Sequence, residues 1–293
     1  MANSLIYQEE WAVKLQERLT EPTKWKDIMN VEYTNERVLH NPYMADATVQ
    51  TGTRGTGYTP QDATETDESI TISTYKILPQ VIDRADLAQS TYSKQMVLAD
   101  RQGILLNEAI ETAVYGDYAN ITAFGDTGGG VLGLASTAIT VSATNIDDII
   151  RGVKREIVKA KGESLANRNG IFFVWRPADM EILESFMQAN GFMSADRALT
   201  GDQQLGPSGG TGTQYMGCTH YVSNLLTAGH VIAGVKKLYH LGIVKDTYGQ
   251  VVITQDPVVS TAQISGVGII SRVDYAIKAW HNVKPVLFNV VVN

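Results

Sequence analysis

An unbroken apolar stripe between residues 92 and 113 dictates the main design of this chain. Tyr92, Met96, Ala99, Gly103, Leu106, Ile110 and Ala113 follow one another at alternating spacings of four and three, the pattern of one continuous helical face. Val97, Leu98, Ile104, Leu105 and Val114 widen the stripe. The spacing predicts a helix from about Leu87 to Tyr115, roughly 40 Å long at 1.5 Å per residue. Gly116 stands where a left-handed cap is expected. A rod of that length spans a whole domain, so the remaining elements must pack around it or project from it.

The stretch Thr48–Asp67 (TVQTGTRGTGYTPQDATETD) has the opposite character. It is rich in Thr and Gly and nearly empty of large aliphatic residues, so it cannot bury enough apolar area to fold alone. It leads into Ser69–Ile77, where Ile70, Ile72 and Ile77 mark a strand with one apolar face. A strand, a mobile polar tip and a returning strand make a long hairpin. Its tip, Thr53, Arg54, Gly55, Thr56, Gly57 and Tyr58, has the backbone freedom of glycine. The hairpin is also acidic, with Asp46, Asp62, Glu65, Asp67 and Glu68 against Arg54 alone.

Ahead of the hairpin, Trp11, Leu15 and Leu19 predict an amphipathic helix over Tyr7–Leu19, stopped by Glu21-Pro22. Thr23–Tyr43 shows scattered aromatics and no clear period, which suits an extended arm lying across another surface. Trp11, Leu15 and Trp25 are its candidate contacts. Beyond the rod come a glycine-rich turn (Gly125–Gly133), a short strand (Ile139–Ser142) and a helix capped by Asn145 and ended by Gly162. That helix carries Ile146, Ile150, Val153 and Ile157 on one face, and Arg151, Lys154, Arg155 and Lys159 as a basic stripe on another. A buried strand (Gly170–Trp175), a helix opened by Pro177 and running to about Phe186, and a glycine-rich loop (Gly201–Gly217) follow. Strands are expected at Thr219–Ser223, His230–Val235 and Gln250–Thr254, and two long β segments close the chain at Gly266–His281 and Val286–Val292. The fold class is α+β.

Charge and chemistry argue against most functions. The formal net charge is −7, without the basic excess of a protein that grips phosphates. Charged residues make up 19%, below the roughly 25% of an average domain, which fits either a large oligomer interface or a low-charge monomer. Cys218 stands alone, so neither an intrachain disulfide nor a cysteine metal cluster can form. No apolar run reaches the roughly 18 residues of a membrane span. Met1–Gln8 lacks a secretory pattern, so a cytosolic origin is expected.

The glycine run TGTRGTG (Thr51–Gly57) lacks the Lys-Ser/Thr of a phosphate loop, and GDTGGG (Gly125–Gly130) reads as a turn. His220, His230 and His240 are spaced by ten, unlike the close spacing of metal ligands on one element. Cys218 and His220 would share a strand face, the minimum for a nucleophile and its base. Ordinary strand, loop and turn positions account for all of them, so no catalytic, cofactor or metal residue is assigned. The basic stripe reads either as a solvated face or as a docking face for the acidic hairpin.

The order of parts resembles the Hong Kong 97-type fold, the shell subunit of tailed bacteriophages. On that resemblance residues 1–45 are the N-terminal arm and 46–80 the extended loop. Residues 81–129 are the peripheral domain with its spine helix, 130–255 the axial domain, and 256–293 the returning strands of the peripheral domain. FFVWRPADMEIL (Phe172–Leu183), THYVSNLL (Thr219–Leu226), HVIAGV (His230–Val235) and the ending VDYAIKAWHNVKPVLFNVVV (Val273–Val292) are similar to segments of that family.

The resemblance implies a structural role and no enzymatic one: a major capsid protein that self-assembles through hexamers and pentamers into an icosahedral head. The head encloses double-stranded DNA without sequence-specific binding, and needs neither cofactor nor membrane. The implied partners are a portal protein, a separate scaffolding protein and a cement protein, with the virion as location and the host bacterial cytoplasm as place of synthesis. An encapsulin-like nanocompartment shell and a soluble α+β binding protein or enzyme are the alternatives. Two departures stand out. No long scaffolding extension is expected before the arm, and no Lys lies between Asp46 and Tyr75 to weld neighbours covalently.

Overall fold

The computed structural model describes residues 21–85, 94–190, 213–255, 257–259, 262–263 and 265–293. The expected helix at Tyr7–Leu19, with Trp11 and Leu15, lies outside the described residues, as do the first turns of the rod and residues 201–212. In chain order, a single turn α1 (Trp25–Ile28) leads into β1 (Asn30–Thr34). The hairpin follows as outgoing β2 (Val38–His40) and β3 (Tyr43–Met44), then returning β4 (Glu65–Thr66) and β5 (Ser69–Thr71), continued by the ten-residue β6 (Thr74–Asp83). The rod is α2 (Lys94–Gly116), followed by β7 (Thr122–Asp126) and β8 (Leu132–Gly133). Then come α3 (Ile146–Lys159), α4 (Glu163–Asn169), β9 (Ile171–Trp175) and α5 (Pro177–Ala189). Strands complete the chain: β10 (Thr213–Tyr215), β11 (Cys218–Val222), β12 (His230–Val235), β13 (Tyr239–Val244), β14 (Val251–Gln255), β15 (Val258–Val259), β16 (Ala262–Gln263), β17 (Gly266–Ala279) and β18 (Leu287–Val291).

Two sheets organise these parts. The larger is mixed, in the order β10-β11-β9-β12-β18-β7-β8. It is covered on both faces, which is why β9 reads as a continuous apolar run rather than an alternation. Ile171, Phe173 and Trp175 face one core, together with Ile146, Ile150, Val153 and Ile157 of α3 and Met180 and Leu183 of α5. Phe172 and Val174 face a second core, shared with Leu106, Ile110 and Val114 of α2 and with the smaller sheet.

In the smaller sheet β17 is central. β6 pairs with it in antiparallel register from Gly266 opposite Asp83 to Tyr275 opposite Thr74. β13 and β14 lie end to end along its other edge. The buried Gln102 of α2 fixes the rod on this sheet. Its Nε2 donates to Gln80 Oε1 at 2.9 Å and to the Ile269 carbonyl at 3.1 Å, while its Oε1 accepts from Ser271 Oγ at 2.6 Å. A buried amide with both ends satisfied sets register as well as adding stability.

Several expectations need correction. Thr23–Tyr43 is not a free arm: β1 pairs in parallel with β13, and β2 and β3 form the hairpin stem. β13 itself shows no alternation, because five of its six residues are buried. Sheet membership does not follow chain order. β18 belongs to the larger sheet, whereas β13 and β14 belong to the smaller one with β17. Ile139–Ser142 is reduced to one bridge, Ile139 to Val292.

Caps differ too. Gly116 keeps right-handed helical angles and passes into a tight turn, Asp117–Asn120. Asn145 stands at the N-cap of α3, but its Oδ1 accepts from the Ser142 amide of the preceding turn. At the other end Lys161, with φ of 59°, is the left-handed residue. Gly162 is required for closeness instead: a Cβ there would lie 2.5 Å from Val286 Cγ1.

Candidate assembly surfaces

The hairpin stem is held by two short ladders, Val38 opposite Thr71 to His40 opposite Ser69, and Tyr43 opposite Thr66 with Met44 opposite Glu65. The stem is anchored to the subunit by Glu68, which lies 3.1 Å from Lys278 Nζ and accepts from the His281 amide at 2.9 Å. Beyond it every residue from Met44 to Asp67 is exposed, including Val49 (94%) and Tyr58 (87%). Thr53–Thr56 form the terminal turn, closed by the Thr56 amide on the Thr53 carbonyl, with Gly55 at φ of 90°. Arg54 lies within this turn, and Gly57 and Tyr58 follow it, so the six tip residues singled out from sequence are gathered at the end of a projection whose residues are all exposed.

A second exposed surface was not read from the sequence. Side chains alternate along β6, and its α2-distant face carries Tyr75 (53% exposed), Ile77 (44%) and Val81 (40%). Ile270 of β17 lies opposite Pro79 and, on its other side, opposite Val252 of β14. These side chains form an apolar patch across three strands with no helix over it among the described residues. Arg272 borders the patch, its guanidinium 4.3 Å from the Tyr75 ring centre and paired with Asp274. Patches of this kind mark interaction surfaces on soluble proteins.

Trp25 is placed elsewhere than expected. It is fully buried in its own subunit, with Ile28 and Met29, among α2 and both sheets. Charges button the same segment down. Lys24, itself 1% exposed, bonds Glu21 and the Val222 carbonyl. Lys236 Nζ lies 2.9 Å from Asp27 and 2.7 Å from the Tyr221 hydroxyl. Glu111 receives the Tyr115 hydroxyl at 2.6 Å. Burial raises its carboxyl above the usual range, while Tyr115 and Lys24 oppose that shift. Trp25 is therefore a wedge in the subunit's own core.

The basic stripe on α3 is engaged within the subunit. Arg151 pairs with Asp147 at 2.9 Å and with Asp148, Lys154 Nζ donates to the Met216 carbonyl at 2.8 Å, Arg155 bonds Glu156 and the Leu132 carbonyl, and Lys159 meets Glu156 at 2.8 Å.

The histidines do not converge. His230 stacks on Tyr118 and meets Asn289 at 2.9 Å, while His240 lies 3.2 Å from Glu32. No group of three metal-ligating side chains forms among the described residues. His220 accepts from Trp175 Nε1 at its Nδ1 (2.9 Å), and its Nε2 faces the Tyr215 carbonyl at 3.2 Å. Both ring nitrogens are thus used, and none is left to serve Cys218, whose thiol is pushed up to about 11 by burial. The glycine turn after β7 is likewise filled: Asp126 accepts the amides of Gly128 and Gly130 at 2.8 and 3.3 Å. A phosphate cradle needs those donors free.

His220 makes the subunit acid-sensitive. Burial lowers its pKa to about 4 from 6.5, so its stabilising share is complete above pH 6.5 and is lost as pH falls toward 4. The full loss amounts to about 3 kcal/mol at 1.36 kcal/mol per pH unit. Urea midpoints measured between pH 7 and 4 should fall less steeply for His220→Gln than for the natural chain. Parallel slopes would assign the acid sensitivity to other groups.

No family profile matches this sequence, and no curated protein matches it. Solved structures do. A chain of Mycobacterium phage Che8 is 16% identical and superposes with a TM-score of 0.71, covering 99% of this chain and 98% of that one. A chain from the bacteriophage PhiM1 mature capsid is 13% identical with a TM-score of 0.65, covering 98% and 92%. A chain from the capsid of Ralstonia phage GP4 is 10% identical with a TM-score of 0.63, covering 98% and 95%. This is the fold of phage capsid chains. In the capsid fold the α+β class read from the sequence holds, and the likeness is end to end, so it takes in both sheets, the rod and the projecting hairpin together.

Proposed function

We propose that this chain is the major capsid protein of a tailed phage, a shell subunit that self-assembles through hexamers and pentamers into an icosahedral head around double-stranded DNA. The observation that carries this reading is the near-complete superposition on the Che8 chain and on chains of two phage capsids. The surface supports it. A hairpin whose tip buries nothing in its own subunit, and an apolar sheet face left open, are what one copy offers to the next. Closed shells need one chain to repeat similar contacts at many sites, with a stiff rod setting shape and projections making the joints. The net charge of −7 fits containment of DNA by enclosure rather than by phosphate binding. Portal, scaffolding and cement proteins are the partners this role calls for, and the virion is its place.

Negative-stain electron microscopy of the purified full chain, beside its sedimentation profile, tests the proposal. Closed shells or rings of five and six are the expected result. A monomer or dimer that never assembles, even with lysate of the source, would overturn it.

Because the α3 stripe is satisfied internally, Arg151→Ser, Lys154→Ser, Arg155→Ser and Lys159→Ser combined should still give shells. Exposed ion pairs contribute under about 1 kcal/mol each, so only a modest drop in thermal stability is expected. Complete loss of shells from a folded variant would restore this helix as a docking face.

A further inference from the structure

The register of the hairpin does not stop where its backbone ladder stops. After Ala45, whose amide donates to the Thr64 carbonyl at 3.0 Å, the two limbs make no further main-chain pair until the terminal turn at Thr53 and Thr56. Yet Thr48 faces Gln61 and Gln50 faces Thr59, in step with Met44 opposite Glu65 below and Thr53 opposite Thr56 above. Both facing pairs are bridged by a glutamine side chain. Gln61 Oε1 accepts the Thr48 amide and its Nε2 donates to the Thr48 carbonyl, both at 2.8 Å. Gln50 does the same from the other limb: its Oε1 accepts the Thr59 amide at 3.2 Å and its Nε2 donates to the Thr59 carbonyl at 2.7 Å.

A carboxamide carries the same donor and acceptor as a peptide group. Two directly opposed residues of an antiparallel ladder exchange one N–H and one C=O each. Here a glutamine side chain takes the place of one backbone where the two main chains do not pair. The two clamps come from opposite limbs and alternate along the ribbon, so neither limb can slide without breaking one of them.

We infer that Gln50 and Gln61 are positioning residues that preset the projecting hairpin as a registered ribbon before it meets a neighbouring copy. The inference rests on the shell-subunit reading for its consequence, and on the hairpin alone for its geometry. Presetting removes an ordering cost from each contact, the general benefit of a preorganised binding segment. It also fixes which side of the ribbon Val49, Arg54 and Tyr58 present.

The test compares the natural full chain with Gln50→Leu/Gln61→Leu, which keeps side-chain bulk and removes both amides. Hydrogen exchange of the unassembled subunit should show protection at Thr48 and Thr59 in the natural chain. In the variant these amides should exchange at least about tenfold faster, with β9 and β12 unchanged as the control for folding. Assembly followed by light scattering should then be slower for the variant. Equal exchange at Thr48 and Thr59 in the two proteins would overturn the clamp, whatever happens to assembly. Faster exchange with an unaltered assembly rate would overturn the positioning role. If the natural chain forms no shells at all, the shell reading fails separately, and the exchange comparison still decides the clamp.

Discussion

Trp25→Ala is expected to destabilise the subunit by about 3–5 kcal/mol, the range for removing a buried large aromatic side chain. The indole lies at 0% exposure between α2, the larger sheet and the smaller sheet, beside Ile28 and Met29. Its loss leaves a cavity in the core that α2 shares with both sheets. The neighbouring bonds of Lys24, Asp27 and Lys236 hold the backbone there and limit collapse, which pushes the cost toward the upper end. Equilibrium urea unfolding of the unassembled chain measures it, and Trp25→Phe, which keeps a ring in the site, should recover most of the loss. A change below about 1 kcal/mol, ordinary for an exposed position, would mean that Trp25 sits in an arm reaching outward.

The second large effect concerns assembly and should leave the fold untouched. Replacing Thr48–Gln61 by Asn-Gly, a sequence suited to a two-residue hairpin turn, removes the projecting tip and keeps the stem. Every residue removed is exposed, so urea unfolding of the subunit should move by less than about 0.5 kcal/mol. Shell formation should fall by at least about 100-fold, which corresponds to a lost contact of about 3 kcal/mol per subunit. Sedimentation of the variant and the natural chain at equal concentration reads this directly. Shells of normal yield from the shortened chain would move the assembly contacts to the open face of β6, β17 and β14.

These two variants separate two segments that the sequence assigned alike to contacts with another surface. Trp25 and the tip lie within 35 residues of each other in the sequence, yet one holds the subunit together and the other reaches away from it. Composition favours the same reading for both, because an aromatic with no periodic neighbours looks like a contact for some other surface. What decides the case for Trp25 is the company it keeps. Leu106, Ile110 and Tyr239 are distant along the chain, and no local pattern announces them.

The exposed face of the smaller sheet escaped for a related reason. Tyr75, Ile77 and Val81 suggest an ordinary strand with an apolar side. Their exposure follows only once Leu78, Gln80 and Ile82 are turned toward α2 and its Gln102. The signal present in sequence was that apolar residues fall on both faces of β6, Tyr75, Ile77 and Val81 on one and Leu78 and Ile82 on the other, more than a strand with one buried side requires.

The sequence alone determined the elements with a local cause. The stripe from Ala99 to Ala113 imposes a helix because side chains three and four apart share a face. GIFFVW imposes a strand buried on both sides, Pro177 opens a helix, and Thr48–Asp67 cannot form a core. Pairing across long separations was decided only in the tertiary structure. It set β1 beside β13, put β18 in the larger sheet, turned Trp25 inward, and made Gly162 a point of contact with Val286 rather than a cap. The tip shows the division most plainly. Gln50 and Gln61 look like two more polar residues in a polar stretch, and become clamps only because the stem fixes the register that sets each opposite a threonine backbone.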